Sequence, residues 1–439
     1  AVILRRWPVL MHFRYELDDL PGWGALLLFG LQWLAVTIPP IIVIGRVVAG
    51  MQGHNVDPIF YLQELFVVIA VVLLVQVLWG HQLPLVVGPA TVLLIGIIST
   101  FERGSATING SLIIGGALLA ILAGVGLFGH LKRLFTPRVI VVILMLIAFT
   151  LAPTILNLVT ASEPVPASIN LVFAVLFTLA IFLANGLLKG IWKSTLAIWS
   201  MLAGSLIYYL FFRSLGASVG HLATFAFPGW PAAEIGLPDP GALVAFLICF
   251  LALSINDLGS IQSVGTLLKA GGMEKRITRG VLTTGVGNVL AGFFGVIGPV
   301  NFSLSPGVIA ATGVASRYAL VPAAAGLMIL AFSPLAIGLI SSVPAPVIGA
   351  ILIYIMTAQI AAALLMVMES RAAGSFDDGL IIGLPLMLGT VVAFLPPEIA
   401  TQLPAGLRPI ATNGFVVGVL AVLILEHLVY RRNSGQVMR

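Results

Sequence analysis

Asp257 stands in the run Ser254, Ile255, Asn256, Asp257, Leu258, Gly259, Ser260, Ile261, Gln262, Ser263, inside a stretch that is otherwise apolar. Asn256, Ser260 and Ser263 recur at helical spacing, so a helix here carries a polar stripe. A carboxyl group in a lipid-soluble segment is costly and by default marks an ion pathway or a proton relay. Asp257 is therefore expected to bind and release a proton. The competing reading makes it a structural acceptor that ties its helix to neighbouring ones.

Two further segments carry chemistry through their backbone. Leu83 to Thr91 reads Leu-Pro-Leu-Val-Val-Gly-Pro-Ala-Thr, and Ile297 to Gly307 reads Ile-Gly-Pro-Val-Asn-Phe-Ser-Leu-Ser-Pro-Gly. Both interrupt apolar stretches, one in each half of the chain. Backbone that leaves the helix inside a bilayer survives only where it is buried in protein or lines a polar cavity. Paired breaks of this kind point to a midplane binding site in a secondary transporter. Ser305 with Pro306, and Gly88 with Pro89, supply helix-start chemistry. Leu85 to Val87 and Pro299 to Leu304 are expected to run extended. Two half-helices starting near the midplane aim free amides and positive dipole ends at one cavity, which suits a hydrogen-bond acceptor or an anion.

The elements that must position these residues follow from composition. The chain is 60% hydrophobic and 8% charged, with a mean hydropathy of +1.14, whereas soluble domains carry about 25% charged residues. It reads as an all-α polytopic membrane protein. Fourteen candidate spans are expected, seven on each side of a connecting segment at 214–240: 24–45, 58–79, 84–100, 107–129, 138–160, 167–188 and 194–213, then 241–268, 279–297, 299–315, 318–340, 345–367, 379–396 and 409–430. The third and tenth are expected to be part extended and part helical. Residues 1–20, with Arg5, Arg6 and Arg14, read as an interfacial lead-in, not a cleaved signal peptide. The single cysteine, Cys249, excludes a disulfide framework.

Loop charge orients the chain, because Lys and Arg accumulate on the cytoplasmic side. With the N-terminus inside, only Arg46, Arg103, Arg213 and Arg408 of the 21 Lys and Arg face out. Both termini are then cytoplasmic, in the cell (inner or plasma) membrane. The net charge of +5 follows from this topology and from anionic lipid, and calls for no nucleic-acid partner. An odd span count per half inverts the second half, residues 241–439, relative to the first, residues 1–213. The six histidines show no metal-ligand spacing, so no metal or cofactor is expected. A membrane-embedded enzyme lacks support because no nucleophile–base pair or His/Glu/Cys cluster lies within the spans.

The stretch from Ala291 to Arg317, with Gly292-Phe-Phe-Gly295, Gly307 and Thr312-Gly313, resembles the signature region of the nucleobase/ascorbate transporters, the group of the uracil and xanthine permeases. Gln32 resembles the family's first-span glutamine, and Gly88-Pro-Ala-Thr91 its third-span site. The resemblance implies substrate contacts at Gln32 on the first span, Ala90 and Thr91 on the third, Asn256 and Ser260 on the eighth, and Ser303, Leu304 and Ser305 on the tenth. The chain departs from uracil permease-like proteins at two clamp positions, where Leu304 and Asn256 replace glutamates. Asp257 is adjacent to the second, but neighbours on a helix point about 100° apart.

The resemblance also implies two intertwined seven-span repeats. Spans 1–4 and 8–11 (about 24–129 and 241–340) form a core that holds substrate. Spans 5–7 and 12–14 (about 138–213 and 345–430) form a gate, through which homodimers assemble. The expected function is proton-coupled uptake, or uptake with sodium, of a small-molecule nucleobase by alternating access. The alternative is a small-anion transporter of the same fold, for sulfate, bicarbonate or a carboxylate.

Overall fold

The computed structural model describes residues 13–51, 57–126, 136–161, 165–212, 222–228, 233–302, 305–400, 402–404 and 408–430. The first half runs α1 (Trp23–Met51), α2 (Pro58–Leu78), β1 (Val87–Pro89), α3 (Thr91–Thr100), α4 (Ser105–Gly124), α5 (Pro137–Thr150), α6 (Ala152–Val159), α7 (Ala167–Leu187) and α8 (Leu196–Phe212). The second runs α9 (Pro240–Leu267), α10 (Met273–Phe294), β2 (Pro299–Asn301), α11 (Ser305–Thr312), α12 (Leu320–Ala331), α13 (Pro334–Ser341), α14 (Ala345–Ser370), α15 (Phe376–Ala393) and α16 (Gly414–Ile424). Several short helical turns lie between these elements.

Capped prolines set many of the helix starts, since proline at the first position forfeits only an amide without an intrahelical partner. Asp57 accepts from the Ile59 amide ahead of Pro58. Asp239 accepts from the amides of Gly241 and Ala242 around Pro240. Thr136 does the same for α5 before Pro137. Ser375 and Asp378 close a reciprocal capping box on α15.

Eight of the helical stretches are long and apolar enough to cross a bilayer, or nine if Arg317–Ala331 and Pro334–Ser341, bent by 99°, form one span, counted among the described residues. The chain is thus a multi-pass, predominantly helical membrane protein. The fifth expected span is one of the eight, Pro137–Val159, with a turn at Leu151 one residue before the Ala152-Pro153 start of α6, and the eleventh is the bent pair, broken at Phe332 and Ser333 before Pro334. Other expected spans coincide with shorter pieces. Helix α10 carries Glu274, Lys275, Arg276 and Arg279 in its first two turns and is missing from the apolar set. It packs against α4 and α2, so protein rather than lipid surrounds much of it.

The packing follows one pattern twice. Helix α4 packs on α10 and α2 packs on α12, while α1 packs on α12 and α9 on α4. Helix α5 packs on α15 and α16, and α14 packs on α7 and α8. Exchanging each element with its counterpart in the other half maps every one of these contacts onto another. Without a hydrophobic driving force between helices in lipid, such contacts rest on close backbone approach at small residues. The α4–α10 crossing shows it: a Cβ on Gly285 would lie 2.6 Å from the Ala120 amide nitrogen and 2.7 Å from the Gly116 carbonyl oxygen.

Charge is also used inside this packing. Arg138 at the start of α5 bonds Glu426 at 2.7 Å and Asp378 at 3.2 Å, joining α5, α15 and the end of the α16 segment. A Gly285→Ala substitution must push two backbones apart, so it is expected to cost about 1–3 kcal/mol and to lower the midpoint of thermal unfolding in detergent. Gly259→Ala, with nothing within 4 Å of the new Cβ, is expected to leave that midpoint unchanged in the same assay.

Candidate substrate site

The two interruptions meet. Strands β1 and β2 pair antiparallel, with Val87 opposite Asn301, Gly88 opposite Val300 and Pro89 opposite Pro299. The pairing continues outward: the Ala90 amide donates to the Gly298 carbonyl at 2.9 Å and the Phe302 amide to the Val86 carbonyl at 2.8 Å. Extended chain in a bilayer must satisfy its amides inside the protein, and here each break satisfies the other. Helices α3 and α11 start from this shared sheet. A side chain at Gly88 would meet the Phe302 ring, which would have to move.

The helix starts differ from the expectation. Gly88 and Pro89 belong to β1, and α3 begins at Thr91 with Ala90 as its N-cap and no side-chain bond to the cap. Ser305 is the first residue of α11. Its hydroxyl accepts from the Val86 amide at 3.0 Å, so the side chain expected to cap its own helix serves the opposite half. Ser303 and Leu304 lie outside the described residues.

A two-stranded sheet of this length is marginal alone, and buried side chains hold it. Asp257 is fully buried. Its Oδ1 accepts from the Asn301 amide at 3.0 Å and from Asn301 Nδ2 at 2.6 Å, and its Oδ2 accepts from the Thr284 hydroxyl at 2.8 Å. Thr284 in turn accepts from Gln76 Nε2 at 3.0 Å, which commits the threonine proton to Asp257. Three donors converge on one carboxylate, each bond worth about 1.5–3 kcal/mol for a charged acceptor. Ser260, also buried, donates to the Asn301 carbonyl at 3.0 Å. Asn288 Nδ2 donates to the Pro299 carbonyl at 2.9 Å, with its Oδ1 pressed against Gly298.

The polar stripe of α9 is therefore two faces. Asp257 and Ser260 turn toward β2 and act on the scaffold. Asn256 is half-buried, and Gly259, Gln262, Ser263 and Thr266 are exposed on the other side. Positions 259, 262, 263 and 266 follow the spacing of one helix face, and a polar face on a span requires water or protein polar groups rather than lipid. Gln32 and Thr91 are half-buried as well. Among the described residues, the side chains of Gln32, Thr91 and Asn256 have no hydrogen-bond partner, so each retains unused capacity. They sit on elements that pack together: α1 on β1 and α3, and α9 on α3, β2 and α11. Ala90 is fully buried at the tip of α3.

The sequence reading missed Asn301, Thr284 and Gln76, each a neutral residue whose importance lies in a partner far along the chain. Their signal was an unusual density of amides and hydroxyls in apolar stretches. Glu64 is buried in α2. Among the described residues no group of three or more His, Cys, Asp or Glu is placed to hold a metal ion.

Comparison with known proteins agrees with this architecture. A Clostridium perfringens protein carrying a purine permease name is 29% identical over 434 residues, covering 94% of this chain and 92% of its own. The xanthine permease of Bacillus subtilis is 24% identical over 427 residues, covering 92% and 94%. Among solved structures, the transmembrane domain of a cyanobacterium bicarbonate transporter, BicA, superposes with a TM-score of 0.59 at 15% identity, over 86% of this chain and 98% of that one. Murine Slc26a9, an anion transporter in the inward-facing state, gives 0.61 at 14% identity, over 93% and 68%. At such identities the likeness is one of fold. The model of the Permease family, Xan_ur_permease, matches residues 24–398. These relatives are permeases and not enzymes, and the chain belongs to that family.

Proposed function

We propose that this protein is a secondary active transporter that takes up an oxopurine-type nucleobase, in the class of xanthine and uric acid, by proton-coupled alternating access. The observation that carries the proposal is the joined pair of half-helices, α3 and α11, beside side chains at Gln32, Thr91 and Asn256 that still have hydrogen bonds to give. Relatives named for purine, xanthine and uric acid support the substrate class. A purine base presents N–H and carbonyl groups around a flat ring. Asn256 and Gln32 can each donate and accept, and the tips of α3 and α11 supply amides for the carbonyl edge. Phe302, half-buried beside Gly88, offers an aromatic ring for the flat face. Ser305, Ser260 and Ala90 shape the site through β1 and β2.

In this reading the chain has fourteen spans in two inverted repeats, with both termini cytoplasmic in the cell membrane. The repeated packing pattern supports it. Residues 24–129 and 241–340 form a core that carries the sheet, and residues 138–213 and 345–430 form the gate against which it moves. The exposed polar face of α9 from Gly259 to Thr266 is the cytoplasmic approach to the site. Homodimers assemble through the gate.

Asp257 couples transport to protons through the strand it holds. All three of its partners donate to it, so a proton arriving on the carboxyl group displaces at least one of them. Protonation thereby loosens Asn301 or Thr284, and with it β2.

Uptake of labelled xanthine, uric acid and uracil, competed with bicarbonate and sulfate, tests the substrate class: purines are expected to compete and the inorganic anions to have no effect. Inhibition by bicarbonate or sulfate alone would contradict it. Asn256→Ala is expected to raise KM for xanthine about tenfold to a hundredfold, the loss of one hydrogen bond in a desolvated site, while Gln262→Ala changes it less than threefold. Asp257→Asn is expected to retain binding and expression but to lose uptake driven by a proton gradient. Unchanged coupling in that variant would remove Asp257 from the relay.

A further inference from the structure

His81 has no metal-ligand spacing in the sequence and falls just past the end of α2, yet it is fully buried. The Leu83 amide donates to its Nδ1 at 3.0 Å. That nitrogen must therefore carry the lone pair, and the ring proton sits on Nε2. Nε2 lies 3.1 Å from Asn301 Oδ1, so it donates there. The amide of Asn301 is thereby fixed, with its oxygen toward His81 and its nitrogen toward Asp257. Burial holds the pKa of this ring, which lies outside the spans, far below the ordinary histidine range, to about 3; the Asn301 bond opposes the shift and the Arg276 charge adds to it. The ring is neutral at any physiological pH. The charged groups facing it are Arg276 from α10 and, beyond Asn301, Asp257 from α9.

The same short loop is held from outside. Arg276 Nη1 donates to the carbonyls of His81 at 3.0 Å and Gln82 at 2.8 Å. Gln82 has a positive φ of 54°, a conformation uncommon for residues other than glycine, which the Arg276 contacts and the Gln82 amide bond to the Gln76 carbonyl at 3.0 Å sustain. From Leu83 the chain runs directly into β1. One loop thus reaches β1 through the backbone and β2 through the imidazole.

We infer that His81 is a positioning residue: by orienting Asn301 it locks β2 to the loop that leads into β1, so that the substrate site is assembled from the end of α2. The inference rests on the transport reading for its kinetic test and is independent of it for its structural one. Glutamine at position 81 can place an amide N–H where Nε2–H stands, and alanine cannot.

The test compares His81→Gln with His81→Ala in the full-length protein. For xanthine uptake, His81→Ala is expected to raise KM at least tenfold with the maximal rate per molecule at the membrane within twofold of the parent, and His81→Gln is expected to keep KM within threefold. Hydrogen–deuterium exchange of peptides covering 84–90 and 297–302 needs no substrate: both are expected to exchange at least tenfold faster in the alanine variant and at the parental rate in the glutamine variant. Parental exchange in both peptides of His81→Ala, or equal loss in the two variants, would overturn the inference. If His81→Ala fails to reach the membrane, His81→Gln decides alone, with parental exchange supporting the positioning role and accelerated exchange refuting it. A parent protein that takes up no xanthine but shows the expected exchange pattern would refute the proposed substrate and leave the role of His81 standing.

Discussion

The constraint on which this structure depends is that extended backbone inside a bilayer has to find its hydrogen-bond partners within the protein. Two breaks in two spans each expose amides and carbonyls, and neither could persist alone. Pairing β1 with β2 satisfies both at once and brings the tips of α3 and α11 together without any further element. The rest of the core serves that sheet. Asp257 and Ser260 from α9, Asn288 from α10 and Ser305 from α11 each contact its backbone. A three-residue ladder is thereby given the rigidity of the helices around it.

This arrangement separates two jobs that the sequence places side by side. On α9, Asp257 and Ser260 face inward and fix the strand, while Asn256 and the exposed face beginning at Gly259 turn to the open side. Adjacent residues on a helix diverge by about 100°, so a charge can act on the scaffold one position away from a group that is free for substrate. In the proposed mechanism, proton occupancy and substrate occupancy communicate through β2, with no direct contact between the carboxyl group and the base. The small residues of the α4–α10 crossing keep the surrounding helices close enough for the strand to be held from both flanks.

Much of the fold was legible because membrane physics writes coarse signals. Apolar length located the eight or nine long helical stretches among the described residues, and the Gly- and Pro-containing interruptions at Leu83 to Thr91 and Ile297 to Gly307 located β1 and β2. What local reasoning missed is long-range pairing. Ser305 looks like an ordinary N-cap in sequence, and only the proximity of Val86 shows where its hydroxyl goes. His81 looks like a loop residue, and its burial follows from Arg276 and Asn301, about 200 positions away. Asn301 itself carries no motif. The stripe of Asn256, Ser260 and Ser263 was found by period, but a period does not say which members face protein and which face water.

The central claim is that the tips of α3 and α11 frame one substrate site on the β1–β2 sheet. A structure of the purified protein with xanthine bound tests it most directly. The account predicts the base between the two helix tips, within hydrogen-bond distance of Asn256 and of an α3 or α11 tip amide, with β1 and β2 still paired. Xanthine bound elsewhere in the fold, or tips that close on apolar side chains with no space between them, would contradict it.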